Sequence, residues 1–190
     1  VSPYFLDVFN LADATFNFSE KAIIALAMAL LILVREIDLS VAAIVALAAM
    51  GIGYAAEAGF GPTGLFAVGI GIGLLCGVFN GLLVTGFSLP SIVVTIGTMS
   101  LFRGLTQVIL GDQAKTKYPP EFLELGQSYF IKMKESGISW LFVPPVPLSF
   151  MIFLVLAILF GLVLHKTAVG RQLFAIGSNP VAARFSGLPV

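Results

Sequence analysis

LSFMIFLVLAILFGLVL, residues 148–164, holds no charged side chain and ends at His165–Lys166. With its flanks it has the ~20 residues a helix needs to cross the hydrocarbon core of a bilayer. In lipid every backbone N–H and C=O must find a partner within the chain, so the run reads as a membrane helix. Residues 58–79 are likewise free of charge. A soluble chain of 190 residues could not bury this much apolar surface, and the bilayer must serve as its solvent.

Working outward, five spans emerge, at about 18–35, 39–56, 63–87, 91–110 and 146–166. The first is expected to open at Asn17, with Glu20 completing a capping box. The second is capped by Asp38 or Ser40 after a very tight connection. Gly61–Pro62 opens the third, and Ser88–Leu89–Pro90 turns the chain into the fourth. The fold class is therefore all-α, a polytopic transmembrane bundle. Residues 111–145 form the one long polar stretch. They carry Lys115, Lys117, Glu121, Glu124, Lys132, Lys134 and Glu135 among interleaved aromatics. Short amphipathic helices at a membrane face, anchored by Trp140, or a docking surface for a soluble partner both suit it. Basic residues fall on both sides of the last span, so they leave the orientation open.

The bulk composition agrees. The chain is 58% hydrophobic and 11% charged, against about 25% charged in ordinary globular domains. Ten basic and ten acidic residues cancel, and nothing points to nucleic acid. Cys76 is the only cysteine, which excludes an internal disulfide or a cysteine-built metal site. His165, the only histidine, sits at a helix end and reads as interfacial. There is no phosphate-binding G-x-x-x-x-G-K-[ST] loop, no nucleophile–base pair and no metal cluster. The chain is not an enzyme by itself and holds no cofactor. It opens on Val1–Ser2–Pro3 and stops at Pro189–Val190, and is read as a fragment of a larger membrane protein.

Several features invite function. Gly69, Gly73, Gly77 and Gly81 recur at i, i+4 spacing and would let another helix approach closely. Arg103 lies about 12 Å inside the fourth span, where a cation is costly unless it snorkels, pairs or lines a permeation route. Glu36, Asp38 and Ser40 crowd the junction of the first two spans. They suit either a capped interfacial turn or a broken-helix element facing a solute path. In GSNPVAARFSG, residues 177–187, Asn179 suits an N-cap, Pro180 the first helical position and Gly187 the left-handed residue after the end. The result is a two-turn helix with Val181, Phe185 and Leu188 on one face, offering an apolar knob to a partner.

EIDLSV (36–41), LPSIVVTIGTMSLFRG (89–104) and Gly170–Arg171–Gln172 leading into residues 177–187 occur in one order and spacing. Together they resemble the permease subunit of ribose-type sugar ABC importers, across essentially the whole chain. The Ser2–Pro3–Tyr4–Phe5 opening and Val34–Arg35–Glu36 look most like rhamnose-type permeases. Ser178 stands where the family usually has a second glycine. The resemblance implies a bacterial inner-membrane subunit missing its first helix and second half. It implies a second permease subunit, a periplasmic or extracellular sugar-binding protein, and cytoplasmic ABC ATPase subunits that bind the ATP. It implies that Gly177, Asn179, Pro180, Ala182, Ala183, Arg184, Phe185 and Gly187, within the segment 170–190, couple to the ATPase, which places residues 111–145 outside. A secondary transporter or channel is the rival reading. It would need ionisable residues deep in several spans, and only Arg103 qualifies.

Overall fold

The computed structural model describes residues 8–131 and 146–188. In chain order the elements are α1 (Val8–Leu33), α2 (Val41–Glu57), α3 (Pro62–Gly86), α4 (Ser91–Leu110), α5 (Pro120–Gln127), β1 (Tyr129–Ile131), β2 (Val146–Pro147), α6 (Leu148–Lys166), α7 (Ala168–Ser178) and α8 (Pro180–Phe185). The chain is a polytopic helical membrane protein. Among the described residues, four helices are long and apolar enough to cross a bilayer: Asp13–Leu33 within α1, and α3, α4 and α6. At 17 residues α2 is shorter, about 26 Å against a core of about 30 Å. Trp140, Lys132, Lys134, Glu135, Pro144–Pro145 and the Ser2–Pro3–Tyr4–Phe5 opening lie outside the described residues.

The chain divides into two compact units, Val1–Arg35 with Glu124–Val190, and Glu36–Leu123. In the first, α1 packs along α6, and α7 folds onto α6 and α8. β1 and β2 pair antiparallel, Tyr129 opposite Pro147 and Ile131 opposite Val146, with an irregularity between them. Thr167 forms the joint between α6 and α7. Its hydroxyl donates to the Val163 carbonyl at 2.6 Å and accepts from the Gly170 N–H at 3.3 Å, closing one helix while opening the next. The backbone of Gly170 rests against the Leu164 carbonyl, where a Cβ would collide with main-chain atoms. The His165 ring meets Phe174 edge-on across the same joint at 5.9 Å.

In the second unit α2 packs against both α3 and α4. Ala43, Cys76 and Phe102 form its core, flanked by Ile44, Leu47, Ile72 and Met99. Tyr54 on α2 donates its hydroxyl to the Ile109 carbonyl on α4 at 2.8 Å. Beyond α2, Lys115 forms an ion pair with Glu57 at 2.7 Å and lies 4.0 Å over the Tyr54 ring.

One expectation needs correction. Asn17 is not an N-cap and makes no capping box with Glu20, because α1 begins at Val8 and runs through both. Its side-chain amide donates instead to the Asp13 carbonyl at 2.9 Å, one turn back. A polar side chain that bonds to the preceding turn leaves the helix intact, so the cluster Asp13–Asn17 does not mark a boundary. Between the last span and the two-turn helix, residues 168–178 form α7.

Candidate functional site

Two constellations stand out, one in each unit. The first is α8. Six residues are too few for a helix to hold by propensity, and both ends are closed by local chemistry. The Asn179 side chain accepts from the Ala182 N–H at 3.1 Å, and Pro180 supplies a first position that needs no donor. At the other end Gly187 adopts φ +80°, the left-handed conformation that glycine takes without penalty. The Leu188 N–H returns to the Ala183 carbonyl at 3.1 Å and the Gly187 N–H to the Arg184 carbonyl at 3.0 Å. This is a Schellman closure, as the residue pattern leads one to expect. Ala183 is buried, whereas Val181 is 65% and Phe185 90% exposed. Arg184 is exposed beside them. The helix thus presents an aromatic knob and a guanidinium on a rigid two-turn body.

The turn feeding α8 is held by a residue whose part in it the sequence does not disclose. Arg35, two residues beyond α1, donates from Nε to the Gly177 carbonyl and from Nη2 to the Ser178 carbonyl, both at 2.7 Å. These are carbonyls of the last turn of α7, which lack intrahelical partners and carry the negative end of the helix dipole. Arg35 itself sits at φ +66°, an uncommon conformation for a residue with a Cβ. Beside it the backbone of Gly177 lies on the Leu33 carbonyl, a contact that leaves no room for a side chain.

The second constellation joins three segments of the other unit. Asp38 Oδ1 accepts from the Ser40 N–H at 2.7 Å and from the Ser40 hydroxyl at 2.6 Å. The Ser40 oxygen in turn accepts from Asn80 Nδ2 on α3 at 2.8 Å. Ser40 occupies the N-cap position of α2 but makes no side-chain cap bond, since its hydroxyl is committed to Asp38 and Asn80. Ser91 and Thr95 on α4 reach the same strand of chain, accepting from the Ile37 N–H and donating to the Ile37 carbonyl, each at 3.4 Å. Ser40, Asn80 and Thr95 are all buried, and the remaining Asn80 oxygen has no partner among the described residues. Asn80 therefore makes an interhelical hydrogen bond. EIDLSV and the start of LPSIVVTIGT, far apart in sequence, are neighbours in space.

The other candidates are not drawn into these clusters. Glu36 is half-buried and makes no side-chain ion pair or hydrogen bond among the described residues. Arg103 is exposed on α4, eight residues or about 12 Å beyond Thr95, and among the described residues it too is without such a partner. Of the glycine stripe, an added Cβ at Gly69 would press on Ile52 Cδ1 at 2.8 Å, whereas Gly73, Gly77 and Gly81 face open space. Outside the spans, the hydrogen bond to Glu57, helped by the charge of that carboxylate, holds the Lys115 ammonium above its ordinary range.

Residues 10–190 match the family described as branched-chain amino acid transport system / permease component. The chain belongs to that family. It is 36% identical over 185 residues to the autoinducer 2 import system permease protein LsrC of Yersinia enterocolitica, covering 95% of this chain and 47% of that one. LsrC proteins of Yersinia pestis and Yersinia pseudotuberculosis are 34% identical over 183 residues, again 95% of this chain and 48% of theirs. The chain spans about half the length of the curated relatives it matches. No solved structure matches it. The likeness to sugar-type ABC importer permeases read from the three motifs therefore holds. The chain is a multi-pass protein of the bacterial inner membrane. These relatives are named for autoinducer 2 and not for rhamnose.

Proposed function

We propose that this chain is part of the permease subunit of an ATP-binding cassette importer and helps to form the path of a monosaccharide or a molecule of similar size and polarity. A binding protein outside the cell delivers the solute, a second permease subunit completes the path, and two cytoplasmic ATPase subunits supply the energy. Residues 177–187 dock on the ATPase, so α8 lies in the cytosol and residues 111–145 face outward. Asp38 and Ser40, with Glu36 beside them, belong to the gate region; Arg103 faces the path or a partner helix.

One observation carries the reading: a fully self-capped helix, outside the membrane-length elements, whose most exposed side chain is a phenylalanine. A monomeric soluble surface has no reason to fix an aromatic in that way, whereas a docking contact does, because aromatic anchors carry much of the binding energy at interfaces. ATP-driven closure of the ATPases would push this knob as a lever. The test reconstitutes the full-length permease with its ATPase and binding protein in vesicles, with labelled rhamnose, ribose and autoinducer 2 as probes. Phe185→Ala and Arg184→Ala should each lower ATP-dependent uptake of the transported probe about tenfold or more, the range of a binding anchor, with the protein still inserted. Undiminished uptake would reject the lever; uptake without ATP would favour a secondary transporter. Uptake of one probe over the others decides the substrate.

A further inference from the structure

We infer that Arg35 is a positioning residue that fastens the α7–α8 elbow to the end of α1, so that a displacement of α8 is delivered to that membrane span. This deepens the proposed function, since it rests on α8 being the helix an ATPase moves. Three observations converge on the elbow. The Arg35 fork grips two successive carbonyls, Gly177 and Ser178, at 2.7 Å each. The next residue, Asn179, is at once the C-cap of α7 and the N-cap of α8, so the gripped carbonyls of Gly177 and Ser178 lie within three residues of Pro180, where α8 starts. The Gly177 backbone also rests directly on the Leu33 carbonyl in the last turn of α1.

A planar guanidinium with two parallel donors resists both sliding and rotation of what it holds, which a single point charge does not. Arg35 follows α1 with only Val34 between, and its own N–H bonds back to the Ile32 carbonyl at 3.0 Å. The fork is thus rooted in α1. α8, by contrast, follows α6 in the chain through α7 and its joint at Thr167. Without the fork, a push on Phe185 could be absorbed by bending at Asn179, whose backbone is extended at φ −153° and ψ 100°. With it, the elbow and α1 move together.

The test uses the full-length permease with its ATPase subunits in nanodiscs, with Cys76 and every cysteine outside this chain replaced by alanine, and a single reporter Ile32→Cys on the exposed face of the last turn of α1. Maleimide labelling of the reporter is timed without nucleotide and with ATP plus vanadate. In the otherwise native complex the two rates should differ about threefold or more, as for a modest population shift. In Arg35→Ala the ratio should fall close to one while the ATPase subunits still co-purify. Arg35→Lys, which keeps the charge but not the fork, should not restore it. Gly177→Ala, which pries the elbow off α1 from the other side, should lose it as well, and it stands in if Arg35→Ala does not assemble. A nucleotide response that survives in Arg35→Ala, or full recovery with lysine, overturns the fastening. Retention of the ATPase that is indifferent to Phe185→Ala overturns the coupling reading instead, so the two failures are told apart.

Discussion

Replacing Ser40 by alanine tests the buried knot of the second unit most directly. Ser40 is fully buried, and its hydroxyl makes two bonds, to Asp38 Oδ1 at 2.6 Å and from Asn80 Nδ2 at 2.8 Å. The Ser40 N–H still reaches Asp38, so the carboxylate is not abandoned. Asn80 is the loser: its oxygen already lacks a partner among the described residues, and Nδ2 would become a second buried orphan. An orphaned buried donor costs about 1–3 kcal/mol, while a side-chain bond between membrane helices averages about 0.6 and reaches about 1.7 kcal/mol. A loss near 2 kcal/mol follows, about thirtyfold in the folded-to-unfolded ratio. Asn80→Leu removes donor and orphan oxygen together and should cost less, below about 1 kcal/mol. The double variant should then be more stable than the two single losses summed, with a coupling of about 1–2 kcal/mol. Cys76, the only cysteine and buried in the core of the same unit, provides the assay. Its reaction with a fluorogenic thiol reagent, followed across a denaturing detergent titration, reports opening of that core. A coupling below about 0.5 kcal/mol, the scatter of independent sites, would mean that the Ser40–Asn80 bond contributes nothing. The stable double variant then separates brace from gate: a gate should transport poorly despite assembling, and a mere interhelical brace should transport normally.

Glycine substitutions discriminate by backbone contact. Gly170→Ala drives a methyl group into the Leu164 carbonyl and should cost about 1–3 kcal/mol or the α6–α7 joint altogether, read as loss of detergent-extractable folded protein. Gly73→Ala meets nothing among the described residues and should be neutral or stabilising by about 0.5–1 kcal/mol, so a loss of permease dimerisation or transport there would expose a partner helix on the stripe. The Lys115–Glu57 pair predicts an alkaline effect. The folded ammonium holds its proton more tightly than the unfolded one, so its contribution is complete below the ordinary value of 10.5 and disappears as pH climbs through the raised folded value. The thermal midpoint of the native chain should therefore fall more steeply above that pH than that of Lys115→Met.

Most of the helical layout was legible because lipid leaves the backbone so few choices. Charge-free runs, Gly61–Pro62 and Ser88–Leu89–Pro90 place α3, α4 and α6 to within two residues of the structure. The failure at Asn17 has the same root in reverse. Thr15, Asn17 and Ser19 resemble a cap in sequence, yet each satisfies itself on the carbonyl four residues back, at Leu11, Asp13 and Thr15 respectively. Period and composition do not distinguish a polar side chain that ends a helix from one that folds back along it.

The site divides along the range of the interactions that build it. α8 could be read residue by residue, because Asn179, Pro180 and Gly187 each act on atoms within five residues. The Asp38–Ser40–Asn80 knot was half visible: the Asp38–Ser40 bond is local, but Ser40 and Asn80 are 40 residues apart, and no spacing rule joins them. The Arg35 fork spans 142 residues to Gly177 and was invisible. An arginine after an apolar helix usually just meets water and headgroups, and the same three letters Val34–Arg35–Glu36 would be written for either fate. What separates the fates is Gly177, where even alanine would strike the Leu33 carbonyl. A glycine near the C-terminus of α7 looks like a helix stop, yet here the stop is Asn179 and the glycine is spent on letting two backbones touch. The pair is therefore best tested as a pair: if Gly177 is there to bring its carbonyl within reach of Arg35, then Gly177→Ala and Arg35→Ala should abolish the same nucleotide response and their double variant should be no worse than either alone.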